Sequence, residues 1–225
     1  MEKLIRGIVQ FRETRRAEHV ETFGRLALGQ KPDALFIACS DSRVAVNVFA
    51  STDPGDLFVV RNVGNLVPPY EAPGADGTSA AVDFAVDQLR VRDIVVCGHS
   101  DCGAMHALCG GLPKLPAGPL RTWLGLGAPD DAAGADVNQT SRRNVLFQIR
   151  HLLAYPSVAR SLAEGRLQLH ALWFDIRGLE VLYYEQDAQR WSVIDRGLAE
   201  RVLQPMRPAA PLDTPPVQPD APRHL

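Results

Sequence analysis

The 225-residue sequence has no excess of basic charge and no long apolar run. It contains 24 Lys and Arg against 26 Asp and Glu, a formal net charge of −2. This balance argues against a dedicated nucleic-acid-binding protein, because few positive charges remain to neutralise phosphates. No segment approaches the roughly 18 to 20 apolar residues of a membrane helix, and residues 1–6 lack the apolar core of a secretory signal. We therefore expect a cytoplasmic protein that binds neither nucleic acid nor membranes.

Cysteine is scarce as well, which bears on disulfides and on metal binding. The sequence holds four, Cys39, Cys97, Cys102 and Cys109, and they do not form a dense disulfide framework. In a chain of this size, metal binding or catalysis explains such cysteines better than a disulfide scaffold does. Cys97 lies inside an apolar run and Cys109 near the end of a helical segment, so we interpret both as buried structural thiols.

What the sequence does contain is an alternation of apolar runs with helical segments. Three runs predict buried strands, at residues 34–38, 57–61 and 94–97. Helical patterns separate them, one over residues 44–50 and one whose N-terminal cap is Thr78 or Ser79. Alternation at this spacing is typical of an α/β protein with a mostly parallel central sheet.

The second half of the chain predicts an antiparallel edge for this sheet. Residues 167–173 alternate between apolar and polar, and a turn followed by residues 179–184 completes a hairpin. Before it, residues 112–139 are rich in Gly, Pro, Ala and Asp and predict a surface excursion with one short helix. A further helix is predicted from Asn144 to about Leu153.

The two ends of the chain differ in character. Helical periodicity predicts an N-terminal arm over residues 1–29, which either covers its own sheet or packs on a neighbouring subunit. Periodicity alone leaves both open. We predict one domain over residues 1–204. Residues 205–225 contain seven prolines and are predicted to be disordered or extended.

Metal-ligand side chains follow two of the predicted strands. Cys39 and Asp41 come directly after the first strand, and His99 and Cys102 follow the third. Open parallel sheets place their sites beyond the carboxyl ends of strands, so these four side chains should meet. Cys and His are the preferred ligands of zinc. Three such ligands leave a fourth position for water or substrate, which is the layout of a catalytic zinc site.

Asp41 lies two residues before Arg43, so the two side chains can share a face and form a bidentate ion pair. An Asp held by Arg stays ionised and can accept a hydrogen bond from a water on the metal, whereas an Asp released from Arg can bind the metal and close the site. In the alternative interpretation, Cys39 is a small buried hydrophobe and Asp41 caps a helix.

Two motifs resemble those of the β-class carbonic anhydrases, Cys39-Ser-Asp-Ser-Arg43 and Gly98-His-Ser-Asp-Cys-Gly-Ala104. The resemblance covers about residues 1–200 and extends through Asp56–Asn65 and Gly77–Ala80. It is close to bacterial members that accompany cyanate breakdown. It implies a zinc lyase that hydrates CO2 reversibly to bicarbonate and a proton, by attack of zinc-bound hydroxide, in a homodimer or higher homo-oligomer with sites near the dimer interface.

The resemblance also implies roles for individual residues. Cys39, His99 and Cys102 would bind Zn²⁺, with Asp41 as a fourth ligand only in a closed form, and Asp41 and Arg43 would form the catalytic gating pair. Five residues would contact the substrate, Gln30, Phe58, Val63, Phe84 and Gly103.

The chain departs from the family pattern at a few positions. Val46 and Asn47 stand where many members carry Pro and Glu, and Phe84 stands where Tyr is common. Two alternatives stay open. The enzyme could hydrolyse CS2 or COS instead of hydrating CO2, or the protein could be a structural or sensor module in which Asp41 permanently fills the fourth zinc position.

Overall fold

The structure, a computed structural model, describes residues 1–72, 76–127 and 132–203. The predicted domain boundary at residue 204 and the proline-rich segment 205–225 lie outside the described residues. Residues 1–194 form one compact unit. In the second unit, helix α9 (Arg196–Val202) begins at Asp195, whose Oδ1 accepts a hydrogen bond from the backbone N–H of Leu198 at 2.7 Å.

A six-stranded sheet organises the first unit, in the order β2-β1-β3-β4-β5-β6. The strands are β1 Ala34–Cys39, β2 Leu57–Asn62, β3 Asp93–His99, β4 Gln168–Asp175, β5 Glu180–Glu185 and β6 Arg190–Val193. The first four are mutually parallel, and β5 and β6 are antiparallel to their neighbours. The predicted mostly parallel sheet with an antiparallel edge is therefore confirmed, although the sequence did not indicate β6.

The final strand forms because the chain turns tightly after β5. Gln189 adopts a left-handed conformation with φ 49°. The Glu185 Oε1 atom accepts hydrogen bonds from Arg190 Nε at 3.0 Å and from Ser192 Oγ at 2.6 Å, which join the two strands across the turn. These contacts extend the predicted hairpin into a three-stranded meander.

Both faces of the central strands are covered, which explains why β1 is buried along its whole length. Alternate residues of β1 and β3 contribute to two different cores. On one face Leu35 and Ile37 join a cluster with Ile94 and Val96, and on the other Phe36 and Ala38 join Cys97 and Phe174. Cys97 is fully buried, as predicted, and burial raises the pKa of its thiol to about 12.

The helices of the first unit begin and end at the following residues: α1 Glu2–Gln10, a π-helical turn Phe11–Arg15, α2 Arg16–Leu26, α3 Val46–Phe49, α4 Gly77–Asp83 with a π-helical continuation Phe84–Leu89, α5 Gly103–Cys109, a 3₁₀ turn Leu112–Lys114, α6 Pro119–Gly127, α7 Val137–Leu153 and α8 Pro156–Ala163.

Several predicted helix boundaries were wrong. Helix α4 is capped by Asp76, because its Oδ1 accepts from the N–H groups of Thr78 and Ser79 at 2.8 and 2.9 Å. Neither Thr78 nor Ser79 is the cap. Helix α7 begins at Val137 instead of Asn144, because Asp136 Oδ1 caps it through the Gln139 N–H at 2.8 Å. The excursion over residues 112–139 therefore contains a 3₁₀ turn, α6 and the start of α7.

The N-terminal arm does not cover its own sheet. No residue of α1 or α2 is buried. The helical part of the arm, residues 2–26, instead exposes seven large apolar side chains, Leu4, Ile5, Ile8, Val9, Phe11, Val20 and Phe23. The arrangement in which the arm covers its own sheet is therefore not observed, and packing on a neighbouring subunit stays a prediction. No helix in the described ranges is long and apolar enough to cross a membrane.

Candidate metal centre

The carboxyl ends of β1 and β3 bring three ligand-type side chains together. The strands are parallel neighbours, with Ala38 opposite Cys97. Cys39, His99 and Cys102 each offer a ligand atom, and these atoms all lie within 4.8 Å of one another. All three side chains are buried. The predicted meeting of the two strand-end segments is therefore confirmed.

His99 has the hydrogen bonding of a metal ligand. Its Nδ1 lies 2.9 Å from the carbonyl oxygen of Ser100, so Nδ1 carries the proton and donates it there. That tautomer leaves a lone pair on Nε2, which is buried and has no hydrogen-bond partner among the described residues. An unpartnered buried acceptor is unfavourable, and a cation at Nε2 would remove this penalty.

The two sulfur atoms also suit a tetrahedral ion. They lie 4.0 Å apart, and two thiolates at about 2.3 Å from one zinc ion would lie roughly 3.8 Å apart. The Cys102 thiol donates to Cys39, which lowers the pKa of Cys39, and the Gly64 N–H also donates to the Cys39 sulfur, at 3.4 Å. The pKa of Cys102 is raised, first because its thiol donates a hydrogen bond to Cys39 and then because burial disfavours the charged form. A bound cation would stabilise both thiolates.

Asp41 and Arg43 form the predicted ion pair. Arg43 Nε donates to Asp41 Oδ1 at 3.0 Å, and Arg43 Nη2 donates to Oδ2 at 2.8 Å. This guanidinium holds the pKa of the Asp41 carboxyl well below its usual range. Asp41 Oδ2 is also 4.0 Å from His99 Nε2. Asp41 is not a helix cap, since α3 begins at Val46 and its N-cap residue is Ala45.

Arg61 is a residue whose role the sequence did not reveal. It lies near the end of β2, opposite Ala38. Its Nε and Nη2 donate to the carbonyl oxygen of Cys39 at 3.0 and 2.9 Å, and Nη2 donates to that of Asp41 at 2.6 Å. An arginine at the end of the strand next to a ligand-bearing strand is the signal that could have pointed to it.

Helix α7 supports His99 from behind. Ser141 Oγ donates to the carbonyl oxygen of His99 at 2.8 Å, and Trp173 Nε1 donates to Ser141 Oγ at 3.1 Å. The close approach needs a glycine at position 98, where a Cβ atom would lie 2.7 Å from Val145 Cγ2. Because apolar periodicity predicts a start at Asn144, the sequence did not place Ser141 on this helix.

The predicted substrate residues Gly103, Val63, Phe58 and Phe84 have the following surroundings. Gly103 directly follows Cys102 and adjoins open space, since a Cβ there would meet no atom within 4 Å. The Val63 carbonyl accepts from Trp123 Nε1 at 2.8 Å, and Val63 follows β2. The rings of Phe58 and Phe84 lie 5.8 Å apart.

Gln30 and the two phenylalanines are the remaining substrate candidates. Gln30 is exposed in the loop after α2. Within the described ranges of one chain, no hydrogen bond or ring contact links Gln30, Phe58 or Phe84 to the three clustered ligand residues. Their substrate roles remain predictions.

Cys109, on α5, differs from its predicted role. Cys109 is only partly buried, and its thiol donates to Thr140 Oγ1 at 3.3 Å. The interpretation of Cys109 as a buried thiol was therefore wrong. On the same helix, His106 Nε2 lies 2.7 Å from Asp101 Oδ1.

A cleft of about 850 Å³ lies at the opposite end of the sheet from the cluster. It is lined by the first residues of β3 and β4 and by several arginines. Arg160 pairs with Asp87 and Arg92 with Asp33. The cleft is remote from the carboxyl ends of the strands, so it does not contribute to the metal centre.

Comparison with known proteins identifies the family. The family model described as carbonic anhydrase matches residues 34–181. A carbonic anhydrase of Pseudomonas aeruginosa is 43% identical over 187 residues, which cover 78% of this chain and 84% of the relative. Carbonic anhydrase 1 of Escherichia coli O157:H7 is 38% identical over 196 residues, 82% of this chain and 88% of the relative.

Solved structures agree with this assignment. The β-carbonic anhydrase CcaA superposes with a TM-score of 0.79 at 36% identity, over 86% of this chain and 99% of that chain. One of two tetrameric β-carbonic anhydrases from Sordaria macrospora gives a TM-score of 0.60 at 30% identity, over 81% of this chain and 92% of that chain. Together with the Cys39, His99 and Cys102 cluster, these similarities show that the chain belongs to the carbonic anhydrase family and is a carbonic anhydrase of the β class.

Proposed function

We propose that the protein catalyses the reversible hydration of CO2 to bicarbonate and a proton, with one zinc ion held by Cys39, His99 and Cys102. The observation that carries this proposal is the buried, unpartnered Nε2 of His99 beside two thiols. Zinc bound there would supply Lewis acidity, which would lower the pKa of a water beside it to about 7, a value known for carbonic anhydrase itself.

Asp41 has the role of orienting the attacking water. A carboxylate accepts hydrogen bonds with both oxygens only while it is ionised. Because Arg43 holds the pKa of Asp41 well below its usual range, the carboxylate is charged at any pH near neutrality. Asp41 therefore accepts a hydrogen bond from water and fixes the direction in which the oxygen lone pair points. Arg61 holds the backbone of the same loop in place through the Cys39 and Asp41 carbonyls.

The substrate needs little recognition because CO2 is small and apolar. Gly103 presents its backbone beside Cys102 with open space in front of it. Val63, Phe58 and Phe84 supply apolar surface, and Gln30 supplies a hydrogen-bonding amide. We propose that some of these residues reach the site from a neighbouring subunit, since Phe84 is 43% exposed in a single chain.

Stopped-flow CO2 hydration between pH 7 and 9, measured beside a zinc assay, tests this proposal. We expect one zinc per chain, activity that disappears when a small chelator removes the metal, and recovery when zinc is returned. Zinc-free protein that retains full hydration activity would contradict it. Parallel kinetics with CS2 and COS decide among the three substrates. A structural zinc module would show four protein ligands and no turnover, and the pairing of Asp41 with Arg43 does not favour it.

We also propose that the protein is a homodimer or a higher oligomer of dimers, located in the cytoplasm, and that the N-terminal arm packs on a second copy. The seven exposed apolar side chains of the arm support this assembly, because an apolar face of that size is stable in water only when it is covered. The two β-carbonic anhydrases of Sordaria macrospora are tetrameric, which agrees with an oligomer built from dimers.

Replacing Ile5 and Ile8 together by lysine should convert the oligomer to a monomer, because two charges would lie on the apolar face of α1. Light scattering coupled to gel filtration measures the change in mass. The matched control is the double change Glu2→Ala and Arg6→Ala, which removes an exposed ion pair from the same helix and should leave the mass unaltered. An oligomer that survives both lysines would show that α1 does not form the interface.

A further inference from the structure

Arg43 contacts two carboxylates, although the mechanism uses only one. The Nε and Nη2 edge of its guanidinium is occupied by Asp41. On the adjacent edge, Nη1 donates to Asp101 Oδ2 at 3.0 Å, and Nη2 donates to the backbone carbonyl oxygen of Asp101 at 2.9 Å. Arg43 therefore joins the loop after β1 to the loop after β3, which are the two segments that carry the clustered ligands.

Asp101 is itself held in an unusual conformation. Its φ is 54°, in the left-handed region that non-glycine residues rarely adopt. Two contacts maintain it: the backbone N–H donates to Asn138 Oδ1 at 2.8 Å, and Oδ1 lies 2.7 Å from His106 Nε2. Strained residues of this kind persist where the surroundings fix them, and they cluster at functional sites. The strained backbone turns both the carboxylate and the carbonyl of Asp101 toward Arg43.

We propose that Asp101 is a positioning residue, which holds the guanidinium of Arg43 against Asp41 and thereby keeps the Asp41 carboxylate directed away from the metal position. Two attachments to Asp101 fix the plane of the guanidinium, so its Nε and Nη2 edge meets Asp41 without further loss of side-chain entropy. Without them, Arg43 can rotate into solvent, and Asp41 loses the partner that competes with the metal for it. The inference concerns the site of the proposed function and rests on it.

The contacts differ from those of an ordinary surface ion pair. The side chains of Arg43 and Asp101 are 43% and 64% exposed, and isolated pairs at such exposure contribute little. Here, however, the guanidinium donates to both Asp41 oxygens along one edge and to the carboxylate and carbonyl of Asp101 along the other. Asn138 and His106 in turn fix the position of Asp101. We expect Asp101 to affect the orientation of the Arg43 guanidinium, and hydrogen exchange of Arg43 measures this effect directly.

The experiment uses full-length, zinc-loaded protein labelled with ¹⁵N-arginine. The Nε–H resonance of Arg43 is identified as the one that disappears in Arg43→Lys, and its exchange with water is measured at neutral pH and low temperature. Asp101→Asn removes the charge, and Asp101→Gly removes the whole side chain; both residue types tolerate the left-handed backbone. We expect exchange to rise about threefold in Asp101→Asn and further in Asp101→Gly, with zinc content unchanged.

Asp33→Asn is the matched control, because it breaks an exposed Asp–Arg pair, with Arg92, at the amino end of β1. It should leave the exchange of Arg43 unaltered. Native exchange rates in both Asp101 variants, or an equal rise in the control, would overturn the inference. If one Asp101 variant fails to fold, the other serves alone.

The same samples separate this inference from the proposed function. Suppose that the native protein binds zinc and hydrates CO2, but that Arg43 exchanges at the native rate in both Asp101 variants. That result would overturn only the positioning role. Native protein that binds no zinc or hydrates no CO2 would overturn the proposed function. We expect CO2 hydration by both Asp101 variants to fall in parallel with the rise in Arg43 exchange, because a loosely held Asp41 orients water less well.

Discussion

Cys39→Ala should yield protein that binds no zinc and hydrates CO2 no faster than the uncatalysed reaction. Cys39 would supply one of the two sulfur ligands of the proposed zinc site, and its sulfur lies 4.0 Å from that of Cys102. With one thiolate gone, a His and a single Cys do not hold zinc against dissociation, and Nε2 of His99 stays unpartnered. Zinc content by atomic absorption and stopped-flow hydration of the same sample measure both effects.

Cys109→Ala is the appropriate control for this change. The substitution is chemically identical, but Cys109 is partly buried outside the cluster, where its thiol donates to Thr140. It should retain one zinc per chain and native activity, with at most a small loss of stability. Full hydration activity in zinc-free Cys39→Ala would exclude the metal from the reaction.

Asp41→Asn should lower kcat by about a hundredfold while leaving zinc content at one per chain, the size expected for loss of a group that handles protons. The amide cannot form the charge-assisted bidentate pair with Arg43 that the carboxylate forms at 2.8 and 3.0 Å. It also presents a donor where water requires an acceptor. Measuring zinc content and kcat on one preparation therefore distinguishes the role of Asp41 from that of Cys39.

The pH profile of Asp41→Asn adds a second test. The pKa of Asp41 lies well below its usual range, so its own protonation does not change between pH 7 and 9. If Asp41 moves between Arg43 and the metal, native activity should rise with pH as the closed form opens. The variant should lack that part of the rise, because a neutral amide is a poor zinc ligand. Native kcat in Asp41→Asn would show that the ion pair only stabilises the loop.

The part of the site that depends on residues close together in the chain could be predicted from the sequence. Apolar runs end at Cys39 and near His99, and parallel strands must place such ends side by side, so the cluster followed from strand assignment and ligand chemistry. The pairing of Asp41 with Arg43 likewise depends on only two residues of separation. Burial of Cys97 followed from the apolar run in which it lies.

The supporting contacts depend on distant segments and could not be predicted in this way. Arg61 reaches the Cys39 and Asp41 carbonyls only because β2 pairs with β1 in one register. Ser141 meets His99 only because α7 begins two turns earlier than its apolar periodicity indicates, at a cap preceded by a Gly- and Ala-rich stretch. At α4, the sequence indicated Thr78 or Ser79 as the cap, whereas the side chain of Asp76 accepts from the backbone N–H groups of both. These contacts depend on how segments that are distant in the chain pair and pack, which a single sequence does not reveal.

The burial of the cluster governs how fast metal enters and leaves. Cys102 and His99 are inaccessible to solvent, and Cys39 is 5% exposed. A chelator should therefore remove an ion held there slowly, because its release would wait for the loops after β1 and β3 to open. Arg43 and Arg61 hold those loops in place. The time for which a metal would stay bound therefore depends on local unfolding of the loops as well as on the affinity of the three side chains for the metal.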